Sequence, residues 1–163
     1  MKTSFLASAA IALAVLAGPA QAAPEFTTIL LEKVVDRTPD QTWAKIGPYC
    51  AIQTWLKVPC VITGNVTGTP IGTNRRLNGR TDEVMVAATP YSYTYTQPSS
   101  TILYHGTLAV EPIDRGQHSK IVYTLFYDQA PLNTPEAKAE NRASRSKRFN
   151  EALDAMKQMA ETP

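Results

Sequence analysis

The chain has 163 residues, with 16 Lys and Arg against 14 Asp and Glu, 44% hydrophobic residues and two cysteines. That length suits one domain built around one core. A charge balance so near neutrality argues against a nucleic-acid binder, which carries a marked basic excess on one face.

Residues 1–22 read as an export signal: Lys2 is a short positive start, Phe5 to Leu16 an apolar run, and Ala20, Gln21 and Ala22 a small-x-small cleavage site. The run is shorter than the ~20 apolar residues that span a bilayer, which makes a membrane anchor the weaker reading. The mature chain is then expected to begin at Ala23 and to form a single domain over 23–163, with 15 basic and 14 acidic residues once Lys2 has left. The expected product is secreted, periplasmic in a Gram-negative host, with no stable insertion in the membrane.

Phe26 to Val35 is rich in β-branched residues and predicts a first strand. A short helix should follow: Thr38 is placed to cap it, Pro39 suits its first position, Gln41 completes a capping box, and Gly47 with Pro48 stops it. The segment from Cys50 to about Leu56 predicts a second short helix carrying Trp55. Nine residues separate Cys50 from Cys60, and in an oxidising compartment such a pair is most often a disulfide. A metal clip would want closer cysteine spacing and more ligands than His105 and His118 offer, and a catalytic thiol is the remaining alternative.

Beyond the bridge, Val58 to Asn65, Gly72 to Leu77, Asp82 to Ala88, Tyr91 to Gln97, Ile102 to Glu111 and Lys120 to Asp128 are strand-like and separated by short breaks containing Gly, Pro, Asn and Ser. Consecutive strands with short breaks predict an antiparallel meander. The period then changes: Thr134 caps, Pro135 opens, and Phe149, Ala152, Leu153 and Met156 recur at three- and four-residue steps, predicting a long amphipathic helix.

One strand, two short helices, six strands and a long final helix give an α+β chain in which a curved antiparallel sheet of about seven strands grips the C-terminal helix. The segments "VDRTPDQTWAKIGPYCAIQTW", "GTNRRL" with "DEVMV", "YSYTYTQP", "YHGTLAVEP", "SKIVYTLFYD" and "ALDAMKQMAE", in that order, resemble exported bacterial members of the START-like or SRPBCC superfamily, the branch labelled polyketide cyclase/dehydrase or lipid-transport-like. The resemblance implies the helix-grip fold. It also implies either a carrier of a small hydrophobic, aromatic or lipid-like ligand or, alternatively, a polyketide cyclase or dehydratase. Relatives often have Trp-His-Pro where this chain reads "TWLKVP", so that histidine is absent, and Tyr123 stands where a tryptophan is usual.

Strand parity groups the candidate ligand-binding residues. Tyr93 with Tyr95, Tyr104 with Gly106, Tyr123 with Tyr127, Arg75 with Leu77 and Glu83 with Met85 each share a face, and Trp55 is held nearby by the bridge. Read as inward, they predict an aromatic cleft with one cation and one carboxylate. Plain cross-strand packing of the tyrosines and a simple Arg75–Glu83 ion pair are the competing readings. His105 and His118 read as exposed, and Arg142, Arg145, Lys147 and Arg148 as the solvated face of the last helix, with weak contact to a membrane surface as the sharper alternative.

The sequence holds no nucleophile-base-orienter set, phosphate loop or metal cluster. No cofactor and no metal are expected, and the partner is a small hydrophobic ligand rather than nucleic acid. Proton transfer by Glu83, Tyr93 or Tyr95 with Arg75 is the enzymatic alternative, and a protein-interaction module the third.

Overall fold

The structure, a computed structural model, describes residues 23–163. The export signal therefore lies outside the described residues. Strand β1 (Phe26–Val35) is followed by helices α1 (Pro39–Ile46) and α2 (Ile52–Trp55). Strands β2 (Cys60–Val66), β3 (Thr69–Leu77), β4 (Thr81–Thr89), β5 (Ser92–Thr96), β6 (His105–Ile113) and β7 (His118–Asp128) come next, and α3 (Pro135–Glu161) closes the chain. The sheet order is β1-β7-β6-β5-β4-β3-β2, with antiparallel pairing throughout. The meander runs from β2 to β7, and β1 completes the sheet by pairing with the last strand.

Local chemistry sets the element ends. At α1 the Thr38 hydroxyl accepts from the Gln41 amide while the Gln41 side chain accepts from the Thr38 amide, the reciprocal arrangement of a capping box. Thr134 caps α3 through the Ala137 amide at 3.1 Å, with Pro135 in the first turn. The sixth strand begins at His105 rather than Ile102, because Leu103 takes a left-handed conformation at φ 48° that no strand accommodates.

Val35, Ile46, Leu108, Ile121, Leu125, Leu153 and Met156 form the centre of the core between the concave sheet and α3. Only the second half of α3 supplies apolar side chains to it: its buried residues are Phe149, Ala152, Leu153, Met156 and Ala160, whereas Pro135 to Arg148 includes none. The disulfide Cys50–Cys60 joins the start of α2 to the start of β2. Along its length α3 is tied to β1: Arg142 donates to the Thr27 hydroxyl and the Thr28 carbonyl, Lys33 meets Asp154 at 2.6 Å, and Lys157 donates to the Val34 carbonyl at 2.9 Å. Just past β1, the Asp36 amide and the Arg37 guanidinium donate to Glu161 at 2.9 and 2.8 Å.

Candidate functional site

The antiparallel register places Arg75 of β3 directly opposite Glu83 of β4 on the inner face and Arg76 opposite Asp82 on the outer one. The two pairs have very different surroundings. Arg76 and Asp82 are in partial contact with solvent, whereas Arg75 and Glu83 are 0% and 2% exposed. Arg75 donates from Nε to Glu83 Oε2 at 2.8 Å, and its Nη2 lies 2.6 Å from the same oxygen. The Gln97 amide donates to Glu83 Oε1 at 2.9 Å, and Arg75 Nη1 donates to the Tyr49 carbonyl. Aromatic rings surround the guanidinium, with Tyr49, Tyr95 and Tyr93 centroids at 4.1, 5.0 and 5.7 Å.

A tyrosine row continues beside this pair. Tyr95 and Tyr123 share a hydroxyl hydrogen bond of 2.8 Å, and Tyr123 packs on Phe149 of α3 at 4.8 Å and edge-on to Trp55 at 6.1 Å. Burial pushes the Tyr95 and Tyr123 hydroxyls well above the ordinary range, and raises that of Tyr104 to about 12. All three stay protonated at neutral pH.

Alternation thus assigns the inner face correctly, but most of the expected cleft is filled. Tyr95, Tyr123 and Tyr127 are 1%, 0% and 1% exposed, and they pack on each other and on the core. Gly106 is a correction to the expected lining: Tyr95 lies across it, so that a Cβ there would sit 2.4 Å from the Tyr95 hydroxyl. The missing side chain makes room for a tyrosine, not for a ligand.

One cavity lies at one end of the sheet, under the middle of α3, where Arg145, Arg148 and Phe149 line it. This cavity of about 230 Å³ has an apolar wall of Ile52, Leu56, Val58, Leu77 and Phe149. Its polar side is made by Asn78, Thr81, Glu83, Tyr95, Gln97 and Tyr104, with Arg80, Arg145 and Arg148 also lining it. Of the residues expected in the site, only Glu83, Tyr95 and Tyr104 border it. Arg75, Gly106, Tyr123 and Tyr127 lie in the packed interior beside it, and Trp55 borders a hollow of about 360 Å³ between α2 and α3. Tyr93 borders a second hollow, of about 280 Å³, with Trp43, Tyr49 and Met85.

Sequence reasoning missed Gln97 and the three arginines. Arg145 is half-buried rather than solvated: its guanidinium stacks on Tyr127 and Tyr104 at 4.6 and 5.3 Å, and its Nε donates to Asn141 at 2.9 Å. The signal was present, because Arg145 stands four residues before Phe149 and shares its stripe. His105 and His118 lie away from the cavity, and among the described residues no cluster of His, Cys, Asp and Glu could hold a metal.

Residues 27–161 match the family described as polyketide cyclase / dehydrase and lipid transport. The chain belongs to that family. Solved structures of similar fold bear out the helix-grip architecture. An aromatase/cyclase, ZhuI from Streptomyces sp. R1128, aligns with a TM-score of 0.66 at 15% identity, over 84% of this chain and 94% of that one. A protein from Thermobifida fusca aligns with a TM-score of 0.63 at 20% identity, over 81% and 94%. One from Nitrosospira multiformis gives 0.61 at 20% identity, over 80% and 96%. No curated protein matches the chain in sequence. This polyketide cyclase / dehydrase and lipid transport family member thus shares the fold of its neighbours, and its own side chains must carry any argument about function.

Proposed function

We propose that the protein is an exported, single-domain carrier that holds a small hydrophobic or aromatic ligand between the sheet and α3. The observation that carries this reading is the cavity of about 230 Å³, with an apolar wall on one side facing a polar side rich in tyrosine and arginine. It lies below the roughly 300–1,000 Å³ of sites for drug-sized ligands, which suits a small ligand or one end of a longer one. The Cys50–Cys60 bridge supports export, because such bonds persist in oxidising compartments. Among the described residues no helix is long and apolar enough to cross a membrane. Binding without chemistry is favoured because both Glu83 oxygens are engaged, one by Arg75 and one by Gln97, so the carboxylate serves as an anchor rather than a free base.

The test is native mass spectrometry of protein recovered from the cell envelope, with titration of a hydrophobic fluorescent probe into wild type and Leu56→Trp. Leu56 is half-buried on the wall between this cavity and the hollow beside α2, so a larger ring there is placed to narrow the space. The expected result is a retained small molecule, chemically unchanged on incubation, and probe binding weakened at least tenfold in the variant. A variant that binds as wild type does, or a wild type that binds no probe, overturns the reading. Turnover of the retained molecule by wild type transfers the case to an enzyme.

A further inference from the structure

The middle of α3, where it covers the cavity, contributes two guanidinium groups beside Phe149, whereas the turns beyond contribute apolar side chains to the core. Arg145 and Arg148 reach the cavity from the helix, and Arg80 reaches it from the turn between β3 and β4. Among the described residues none of the three has a carboxylate partner within ion-pair distance, although Lys33, Arg75, Arg76, Lys120, Lys138 and Lys157 all do. Of the acids nearby, Glu83 pairs with Arg75 at 2.6 Å, Asp82 faces outward to Arg76 at 2.7 Å, and Glu151, one turn beyond Arg148, borders the neighbouring hollow rather than this cavity. The cavity therefore carries an uncompensated positive charge although the chain as a whole is close to neutral.

Arg145 is also positioned. Its stacking on Tyr104 and Tyr127 holds the planar fork at the cavity wall, which lowers the entropy lost when the fork engages an anion. The Tyr104 hydroxyl, kept protonated by burial, adds a neutral donor to the same lining.

From this arrangement, and resting on the carrier reading above, we infer that the ligand is an amphipathic oxyanion, whose carboxylate or phosphate group sits against Arg145, Arg148 and Arg80 while its apolar part lies along Val58, Leu77 and Phe149. Guanidinium forks match both oxyanions in two-pronged fashion. The apolar wall supplies burial but little orientation, so the charge fixes which end of the ligand enters.

Three probes with one ring system separate the possibilities by calorimetric titration at low salt: 2-naphthoate, 2-naphthyl phosphate and the neutral 2-naphthamide. Wild type should bind at least one anion tenfold or more tighter than the amide, and the stronger anion identifies the oxyanion preferred. That preference should shrink with added salt. In Arg145→Gln/Arg148→Gln the anion-to-amide ratio should fall towards one, and Arg148→Gln alone, at an exposed position, should lower it partway without disturbing packing. Equal binding of all three by wild type, or a ratio unchanged in the double variant, overturns the oxyanion assignment and leaves the cavity reading standing. If none of the three binds, both fall.

Discussion

Arg75 and Glu83 face each other across neighbouring strands and meet at 2.6 and 2.8 Å where neither has more than 2% of its surface exposed. A buried pair of this kind is expensive to break from one side, because the surviving charge stays in a medium that solvates it poorly. Glu83→Gln or Arg75→Met should each lower stability by about 3–5 kcal/mol. The double variant Arg75→Met/Glu83→Leu should be less destabilised than the worse single one, since it leaves no orphaned charge. Urea unfolding of the four proteins checks this, and strictly additive losses would refute it.

Gly106 and Tyr95 stand opposite each other in the β5–β6 register, and the ring occupies the space above the glycine. Gly106→Ala should cost about 1–3 kcal/mol as overpacking. It should also weaken the Tyr95–Tyr123 hydrogen bond by shifting the ring. Tyr95→Ala should relieve much of the added penalty in the double variant. A Gly106→Ala protein with the wild-type urea midpoint would show that the contact is loose.

The Cys50–Cys60 bridge closes a short loop that holds α2 against the start of β2. Replacing either cysteine by alanine should lower stability by about 2–4 kcal/mol. Alkylation of the unfolded, unreduced protein should label no thiol. Two labelled cysteines would contradict the bridge.

Alkaline pH should destabilise the fold before it ionises the buried tyrosines. An unfolded tyrosine loses its proton near 10, whereas burial holds Tyr104 to about 12 and Tyr95 and Tyr123 well above 10. Over that window the unfolded chain binds fewer protons than the folded one, so stability is complete below pH 10 and falls as pH rises through it, by up to ~1.4 kcal/mol per unit for each such tyrosine. Urea midpoints at pH 8, 10 and 11, read beside tyrosine absorbance, check the sign. A midpoint that does not fall between pH 10 and 11 would refute it.

The legible and the hidden parts of this protein divide by the range of the interactions involved. Period-two alternation is local, so it grouped Tyr93 with Tyr95 and Tyr123 with Tyr127 and placed Arg75 and Glu83 on the inner face. Capping by Thr38 and Thr134 is local too, and both helices begin where those residues predict. What fills the space between elements depends on pairs distant in sequence. That Tyr95 covers Gly106 follows from the β5–β6 register, and that Arg145 lies on Tyr104 and Tyr127 follows from how α3 crosses the sheet. Charge also misleads about exposure: Arg145 reads as solvated by type, yet a long apolar stem lets an arginine share the stripe of Phe149 and line a cavity.

The ties between α3 and β1 bear on how anything enters. From Arg142 at Thr27 to Glu161 at Arg37, helix and strand are fastened along most of their common length, so an outward swing of the helix would break this whole row of contacts. The opposite flank is stapled, since the disulfide joins α2 to β2. The rest of the rim is the turn at Asn78–Arg80 and the connection from Gln97 to Tyr104, both of which supply residues to the cavity and are held by backbone hydrogen bonds, Asn78 N–H to the Pro59 carbonyl at 3.0 Å and Gln97 N–H to the Tyr104 carbonyl at 3.1 Å. If the cavity exchanges a ligand as proposed, opening would break the hydrogen bonds of these two turns rather than lift the helix, and the exchange rate would then report on their backbone.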